Sequence, residues 1–502
     1  MTQTWKKIAT VSIAAVMLAG TLAGCGGSGA TSLDKENPTI KVMTKQFQAE
    51  SAGKDSPVMK ELEKYVGAKL EMTWAPSANY DEKVTATMGS GNYPHAMLVG
   101  TRSSSVIQAS KKNRFWDITD KLTDAKKFPN LAQTNPDVNH NISIDGKVYG
   151  VYRARTIGRA GVSIRKDWLN KLGMDIPKTV DEFEKVLDAF TNNDPDGNGQ
   201  KDTYGMIITN YLEGPLNNLA IWMGAPNVYG EKDGKLAPAY MFDEYLAALT
   251  KLREWKAKGY INNDMATYDS SKWNEQFLNN KAGVIIDVAD RARRLAQNMP
   301  NQDSVDVFGY VTKDANATPR TLPTKGYDGY YVFPKAAVAS EEDLDIVLGV
   351  MDKCNDQAAL NLMNFGIEGR NYKLDAEGYV VKEEAPELVK EYADLNQFAT
   401  GIVATQLKTR YTAPVAEKID KVYEENEKYA VTNPAEPYVS ETYSTSGPQL
   451  DAIMAEANTK YVCGDIDEAE WKKQRDRWLN AGGQKVIDEI NAAYAADTTV
   501  KK

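Results

Sequence analysis

The segment Asp194-Pro-Asp-Gly-Asn-Gly-Gln-Lys-Asp202 places side-chain oxygens at relative positions 1, 3, 5 and 9, glycine at 6 and the main-chain carbonyl of Gln200 at 7. Alternate residues of a tight loop can aim such oxygens at one centre, and Gly199 permits the sharp turn. Hard oxygens at this spacing are the first part of an EF-hand-type loop, so the chemistry they offer is Ca²⁺ binding, with Asp194, Asp196, Asn198, Gln200 and Asp202 as candidate ligands. Where an EF-hand carries a bidentate glutamate, this chain has Gly205. Water or a remote carboxylate would have to complete the shell; the alternative is an Asn/Asp/Gly turn that binds nothing. Neither a redox centre nor a nucleophile lies in the loop, so calcium there would be structural, fastening a helix to the next strand.

Cys25 is the second residue with chemistry of its own. Lys6-Lys7, an uncharged stretch from Ile8 to Thr21 and Leu22-Ala-Gly-Cys25 form a basic head, a short apolar run and a small-residue cleavage site, the pattern of an export signal. The tetrapeptide resembles the lipobox of bacterial lipoproteins, which implies acylation of the Cys25 thiol, removal of residues 1–24 and a chain held at the outer face of the cell membrane. The alternative is a secretory signal with a chance cysteine. Residues 25–37 begin Gly26-Gly-Ser-Gly-Ala-Thr-Ser32, too poor in apolar surface to fold, and read as a flexible tether.

Other reactive constellations are scarce. The chain has two histidines, His95 and His140, and lacks H-E-x-x-H and C-x-x-C, which removes zinc chemistry and makes a histidine-based triad improbable; both read as loop or surface residues. Cys354 and Cys463 allow one bridge but no disulfide framework. The formal charge is −9, and loss of the two signal lysines leaves −11, so nucleic acid is not an expected partner. Beyond the signal no apolar run approaches the ~20 residues of a membrane span.

Two sets of alternating elements must position these groups. Pro38 to Thr44, Lys69 to Trp74 and Ala96 to Gly100 have strand character, separated by helical patterns over Val58 to Val66 and Asp81 to Met88. Strand, helix, strand, helix, strand implies a parallel sheet covered on both faces. After the hairpin-like Asp145-Gly-Lys-Val-Tyr-Gly150 the pattern restarts with Ala160 to Ile164 as strand and a helix over Asp181 to Phe190, capped by Thr179. A long helix over Tyr240 to Lys258, a buried strand over Lys281 to Asp287 and a strand crossing back over Gly326 to Pro334 follow. Glu341 to Cys354 reads as helix, and from Pro386 the rest is mostly helical, closing with Trp471 to Ala495. The 502 residues thus make an α/β chain of two lobes.

Asp145-Gly-Lys-Val-Tyr-Gly150, Ile164-Arg-Lys-Asp-Trp-Leu-Asn-Lys-Leu-Gly173, Pro177-Lys-Thr-Val-Asp-Glu-Phe183, Asp194-Pro-Asp-Gly-Asn-Gly199 and Phe365-Gly-Ile-Glu-Gly-Arg-Asn-Tyr372 resemble, in this order, family 1 extracellular solute-binding proteins, in the branch of Gram-positive lipoproteins that feed oligosaccharides to ABC importers. The resemblance implies a two-lobe, type II periplasmic-binding-protein-like clamp. Each lobe would be a mainly parallel sheet flanked by helices and joined by hinge strands. Lobe 1 would comprise 38–153 plus 330–385, and lobe 2, carrying the calcium loop, 154–329 plus 386–502. It further implies an oligosaccharide as ligand, the membrane permease subunits of an ABC importer as partners, action as a monomer and no catalytic residues. The family often has an acid just after the last loop aspartate, where this chain has Thr203.

Sugars present apolar C–H faces and many hydroxyls, so their sites combine aromatic platforms with planar polar groups. Ligands of open α/β sheets sit beyond the carboxyl ends of strands, which here hold Lys45, Gln46 and Phe47, Trp74, Thr101 and Arg102, and Asp287. Loop aromatics able to stack on sugar rings are Trp222, Trp273, Tyr327 and Tyr330. Arg370, between glycines and polar residues in Gly366-Ile-Glu-Gly-Arg-Asn371, could fork to hydroxyls or a uronate carboxylate; the alternative is a surface pair with Glu368. Trp168, Trp255, Trp471 and Trp478 read as packing residues. Against a binding protein stand a surface glycoside hydrolase using two of the 69 acidic residues, and a carbohydrate-binding adhesin or sensor that does not transport.

Overall fold

The computed structural model describes residues 32–100 and 102–497; the signal segment, Cys25 and Thr101 lie outside them. Alternating apolar runs become, in chain order, β1 (Thr39–Gln46), β2 (Lys69–Pro76), β3 (Ala96–Val99), β4 (Gly150–Ala154), β5 (Ala160–Arg165), β6 (Tyr204–Met206), β7 (Tyr229–Lys232), β8 (Lys235–Pro238), β9 (Ala282–Val288), β10 (Val305–Phe308) and β11 (Tyr327–Val332). The intervening amphipathic segments become helices with local stop signals. Helix Pro57–Val66 starts on the Ser56 hydroxyl, which accepts from Met59 N–H, and ends at Gly67 in the left-handed region, φ 74°.

The first sheet has the order β2-β1-β3-β11-β4. β1 pairs in parallel with β2 and β3, whereas β11 runs antiparallel to both β3 and β4. The second sheet has the order β10-β5-β9-β6, and there β5 is antiparallel to β10 and to β9 while β6 lies parallel to β9. A mainly parallel sheet therefore describes the first lobe, with β11 reversed. In the second lobe β5, the strand arriving from the other lobe, is likewise the one reversed strand, while β6, β9 and β10 run the same way. Strand period 2 is visible in what the second sheet buries: Val284 and Ile286 face one core with Trp168, Phe183 and Trp255, and Ile285 faces the other with Phe277 and Leu295.

One core holds β1–β4 and β11 and continues through Tyr392, Leu395 and Phe398, beyond position 385, where the sequence reading ends this lobe. The closing helix expected over Trp471 to Ala495 is broken. Helix Glu468–Trp478 and helix Gln484–Ala496 flank Gly482 at φ 133°, and a Cβ on Gly483 would fall 2.1 Å from a ring carbon of Trp478. The chain leaves the first lobe from the end of β4 and starts β5 after five residues, a reach of at most about 20 Å. It returns between β10 and β11, and crosses a third time between Val403, against the first core, and Ala413, in the second lobe. The first two crossings hydrogen-bond to each other, Arg155 N to Gly326 O at 3.0 Å and Thr324 N to Ile157 O at 2.9 Å. Because they join the carboxyl end of β4 to the edge where β5 begins and β9 and β10 end, the carboxyl edges of the two sheets must face each other.

Candidate functional site

A cavity of about 1220 Å³ lies between those edges. Arg155 and Arg159 of the first crossing line it. So do Phe365, Tyr379 and Lys382 from the first lobe, Arg410 and Tyr411 from the third crossing, and Asp290, Arg293 and Tyr423 from the second lobe. Tyr379 and Tyr411 are 37% and 43% exposed. The Arg293 guanidinium sits 4.0 Å from the Tyr411 ring centroid and that of Arg410 4.7 Å from Tyr379, so each ring is held on one face by a cation. Asp290 accepts from Arg159 Nε at 3.1 Å and Nη2 at 3.2 Å and from the Tyr423 hydroxyl at 3.2 Å. Burial alone would raise its carboxyl pKa, but Arg159 and Arg294 hold it below the usual range. Burial, reinforced by the Asp290 charge, pushes the Tyr423 phenol up to about 12.

At the carboxyl edge of the first sheet Asp328 lies 3.6 Å from Lys45 Nζ, 3.6 Å from Arg153 Nη1 and in contact with Arg155. Burial opposes its ionisation, and these three cations outweigh it, Lys45 foremost, lowering the carboxyl pKa. A second cavity, of about 540 Å³, opens on the other flank of the paired crossings, where Arg102, Tyr327, Asp328 and Glu436 meet Tyr229, Tyr240 and Trp478.

The candidates from strand ends and loops are dispersed. Gln46 caps its own turn, donating to Gln48 O at 3.0 Å and Ala49 O at 3.2 Å. Trp74 is half-buried against the first core. Arg102 donates to Pro437 O at 2.9 Å and to Glu436 O, and the Tyr327 hydroxyl donates to Glu436 Oε1 at 2.9 Å, which puts both on the smaller cavity. Trp222 is a correction: it ends helix Glu213–Trp222, is 2% exposed and packs edge-on against Phe183 at 6.2 Å, so it is core and not a loop platform. Tyr330, 1% exposed, is likewise core. Trp273 is buried, its indole N–H on Ile207 O at 3.2 Å and its ring under Arg291 at 4.7 Å, and it supports the half-exposed Tyr211 edge-on at 6.4 Å. Arg370 forks onto Glu391, Nε at 2.8 Å and Nη2 at 2.5 Å, rather than onto Glu368 or the cleft. His95 lies in the bend just before β3, a loop residue as read, but it is buried, its Nδ1 accepting from Lys41 N–H at 2.9 Å. Cys354 and Cys463 are free.

The acidic loop folds around its own side chains. Asp194 accepts from Gly197 N at 3.0 Å and Gly199 N at 3.2 Å, while the Asn198 amide nitrogen reaches Asp196 Oδ2 at 2.9 Å and Asp202 Oδ1 at 3.2 Å. Lys281, at the foot of β9, also pairs with Asp202. An amide N–H₂ and an ammonium thus stand where these oxygens would meet a cation, and the donor set, all hard oxygen, fits calcium in kind. Among the described residues no group of three or more His, Cys, Asp or Glu side chains is already gathered around one point. Neither of the two further positions can add a carboxylate from its own site. Thr203 is buried and donates to Phe190 O at 2.8 Å, and a Cβ on Gly205 would meet Leu187 O at 2.6 Å.

The sequence profile of the family described as bacterial extracellular solute-binding protein matches residues 58–344, more than half of the chain. The chain belongs to that family. The Lipoprotein LipO of Bacillus subtilis is 38% identical over 97% of this chain and 98% of its own length. The polygalacturonan/rhamnogalacturonan-binding protein YtcQ of the same organism is 31% identical over 98% of each. The structure of an EF-hand mutant of the Streptococcus pneumoniae ABC-transporter substrate-binding protein FusA, in complex with fructo-nystose, superposes with a TM-score of 0.64 at 19% identity, covering 91% of this chain and 99% of that one, and so shares its two-domain fold.

In this solute-binding protein the cleft residues that sequence reading missed are Tyr379, Tyr411, Arg155 and Arg293. None follows a strand that the sequence reading assigned to the first lobe. Tyr379 precedes Pro386 in a stretch given no element, Tyr411 lies inside the stretch read as mostly helical, and Arg155 begins the crossing right after β4. Arg293 had the one local signal, a cluster of arginines just past the buried strand that ends at Asp287.

Proposed function

We propose that this extracellular solute-binding protein, anchored to the membrane through lipid on Cys25, captures an oligosaccharide between its lobes and delivers it to the permease subunits of an ABC importer. One observation carries the reading: a cavity of about 1220 Å³ at the facing carboxyl edges, with Tyr379 and Tyr411 half exposed in it beside arginines. Rings of this kind meet the C–H faces of sugars, and guanidinium and amide groups meet hydroxyls. YtcQ is named for binding polygalacturonan and rhamnogalacturonan and FusA is an ABC-transporter substrate-binding protein, which supports the same reading here. LipO, named a lipoprotein, supports the anchor at Cys25.

In mechanism, solute held by both lobes favours the closed form, and only its differential affinity for that form can drive closure. The crossing segments at 155–159, 309–326 and 404–412 absorb the rotation. Calcium, when bound, supplies a fixed positive charge to the acidic loop. Asp194, Asp196, Asn198 and Asp202, with the Gln200 carbonyl, would hold it, and Lys281 ties Asp202 to β9 meanwhile. That loop joins helix Val180–Asn192 to β6 and stabilises the second lobe.

The test is titration of the mature chain with a panel of neutral and acidic oligosaccharides, with the sugar analysed afterwards. Tight binding with the sugar unchanged is expected. A panel in which nothing binds, or in which a bond is hydrolysed, overturns the reading.

A further inference from the structure

Beside the large cavity, and sharing Ala154, Arg155, Asn364, Asn396 and Thr405 with it, a recess of about 230 Å³ opens at the end of β4. Its charged lining residues are two arginines, Arg153 and Arg155, with no acid among the rest. Arg153 is 6% exposed. Its Nη2 donates to Gln397 Oε1 at 2.6 Å, whereas Nε and Nη1 are buried with no hydrogen-bond acceptor. The nearest carboxylate, Asp328, is 3.6 Å from Nη1 and is shared with Lys45 and Arg155. One anion therefore serves three cations. A buried guanidinium with unmade hydrogen bonds is costly, and the recess is short of negative charge.

We infer that the recess is a carboxylate subsite of the cleft and that the solute is an acidic oligosaccharide, one uronic-acid ring of which docks there. This rests on the reading of the cleft as an oligosaccharide site and names the class of sugar. The planar fork of a guanidinium matches a carboxylate in a way it does not match a single hydroxyl. The carboxylate takes the place of the Gln397 amide oxygen on Arg153 Nη2. Asn364 and Asn396 offer amides to the ring hydroxyls, and the neighbouring rings extend into the cavity of Tyr379 and Tyr411.

The experiment is calorimetric titration of the mature chain with trigalacturonate, its methyl ester, maltotriose and inorganic phosphate, repeated on Gln397→Glu and Arg155→Gln. Gln397→Glu is nearly isosteric and places a fixed carboxylate on Arg153. It should raise the melting temperature and weaken trigalacturonate at least tenfold, which a merely structural glutamine would not do. Arg155→Gln should weaken trigalacturonate as well. In the parent protein the methyl ester should bind at least tenfold more weakly than the free acid, and phosphate should not compete. Equal affinity for acid and ester, or unchanged acid binding in Gln397→Glu, overturns the inference. Phosphate binding as tightly as trigalacturonate overturns it in favour of an inorganic-anion site. Maltotriose binding without trigalacturonate overturns it while leaving the oligosaccharide reading standing. No binding by any sugar removes both.

Discussion

Tyr411 takes the Arg293 guanidinium on one face, 4.0 Å from its centroid, and is 43% exposed, which leaves ring surface for a solute. A stacked aromatic contributes about 1 kcal/mol beyond its area. Tyr411→Ala should therefore weaken oligosaccharide binding roughly five- to tenfold while leaving the melting temperature nearly unchanged; calorimetry showing parental affinity would remove Tyr411 from the site. Trp222 should behave in the opposite way. Fully buried against Phe183, it should cost about 3–5 kcal/mol of stability on replacement by Ala, with the affinity of the folded fraction unaltered. The contrast shows what was legible at this scale. Trp168, Trp255, Trp471 and Trp478 betray their burial through helical spacing, and all are 3% exposed or less. Trp222 was misplaced because Gly224 makes its segment resemble a loop, while the real platforms sit where no strand pattern announces them.

Two local devices fasten helix Val180–Asn192, and each has its own signature in solution. At its start Thr179 accepts from Glu182 N–H at 3.2 Å, as the Thr-Val-Asp-Glu sequence suggests. On its outer face Glu184 lies 3.2 Å from Lys251 and 2.5 Å from Lys258, at the end of helix Asp243–Ala257. Burial would raise the Glu184 carboxyl pKa, but the hydrogen bond from Lys258, with that from Lys251, takes it down to about 2. A carboxyl depressed by folding stabilises above its unfolded pKa of about 4.3 and loses that contribution as the pH falls through the folded value. After screening, about 1–2 kcal/mol should disappear between about pH 4.5 and 2, and Glu184→Gln should abolish that part of the acid dependence in thermal melts. Past the helix end comes the acidic loop. Calcium at a hundredfold its Kd should add about 2.7 kcal/mol to unfolding, EDTA should reverse this, and Asp196→Ala should make both additions inert. Melting that ignores calcium in the parent protein would leave the loop a simple turn. The loop was legible because its spacing is local. That Thr203 turns inward and Gly205 presses on Leu187 was not, since both facts depend on how the helix packs against β6.

At the scale of the molecule, two cavities share one hinge. The first crossing borders the larger cavity and the second borders the smaller, and they hydrogen-bond to each other between them. On the flank of the smaller cavity Glu436 clasps the lobes. Its segment packs into the second core through Ala435, while its carboxylate accepts from the Tyr327 hydroxyl of β11 at 2.9 Å and lies 3.1 Å from Lys325 and 4.0 Å from Arg102. Rotation about the paired crossings that narrows one flank must widen the other, so solute closing the larger cavity has to strain this clasp. Glu436→Gln keeps the shape and removes the charge, an effect of about 1 kcal/mol for a hydrogen-bonded ion pair of low exposure. Since the clasp favours the open form, weakening it lowers the conformational cost that subtracts from the intrinsic affinity. The variant should bind oligosaccharide about three- to tenfold more tightly, and its radius of gyration in small-angle scattering should contract at lower solute concentration than that of the parent. Weaker binding with the same contraction would instead place Glu436 on the closing side, and the smaller cavity would then be the one that grips the solute.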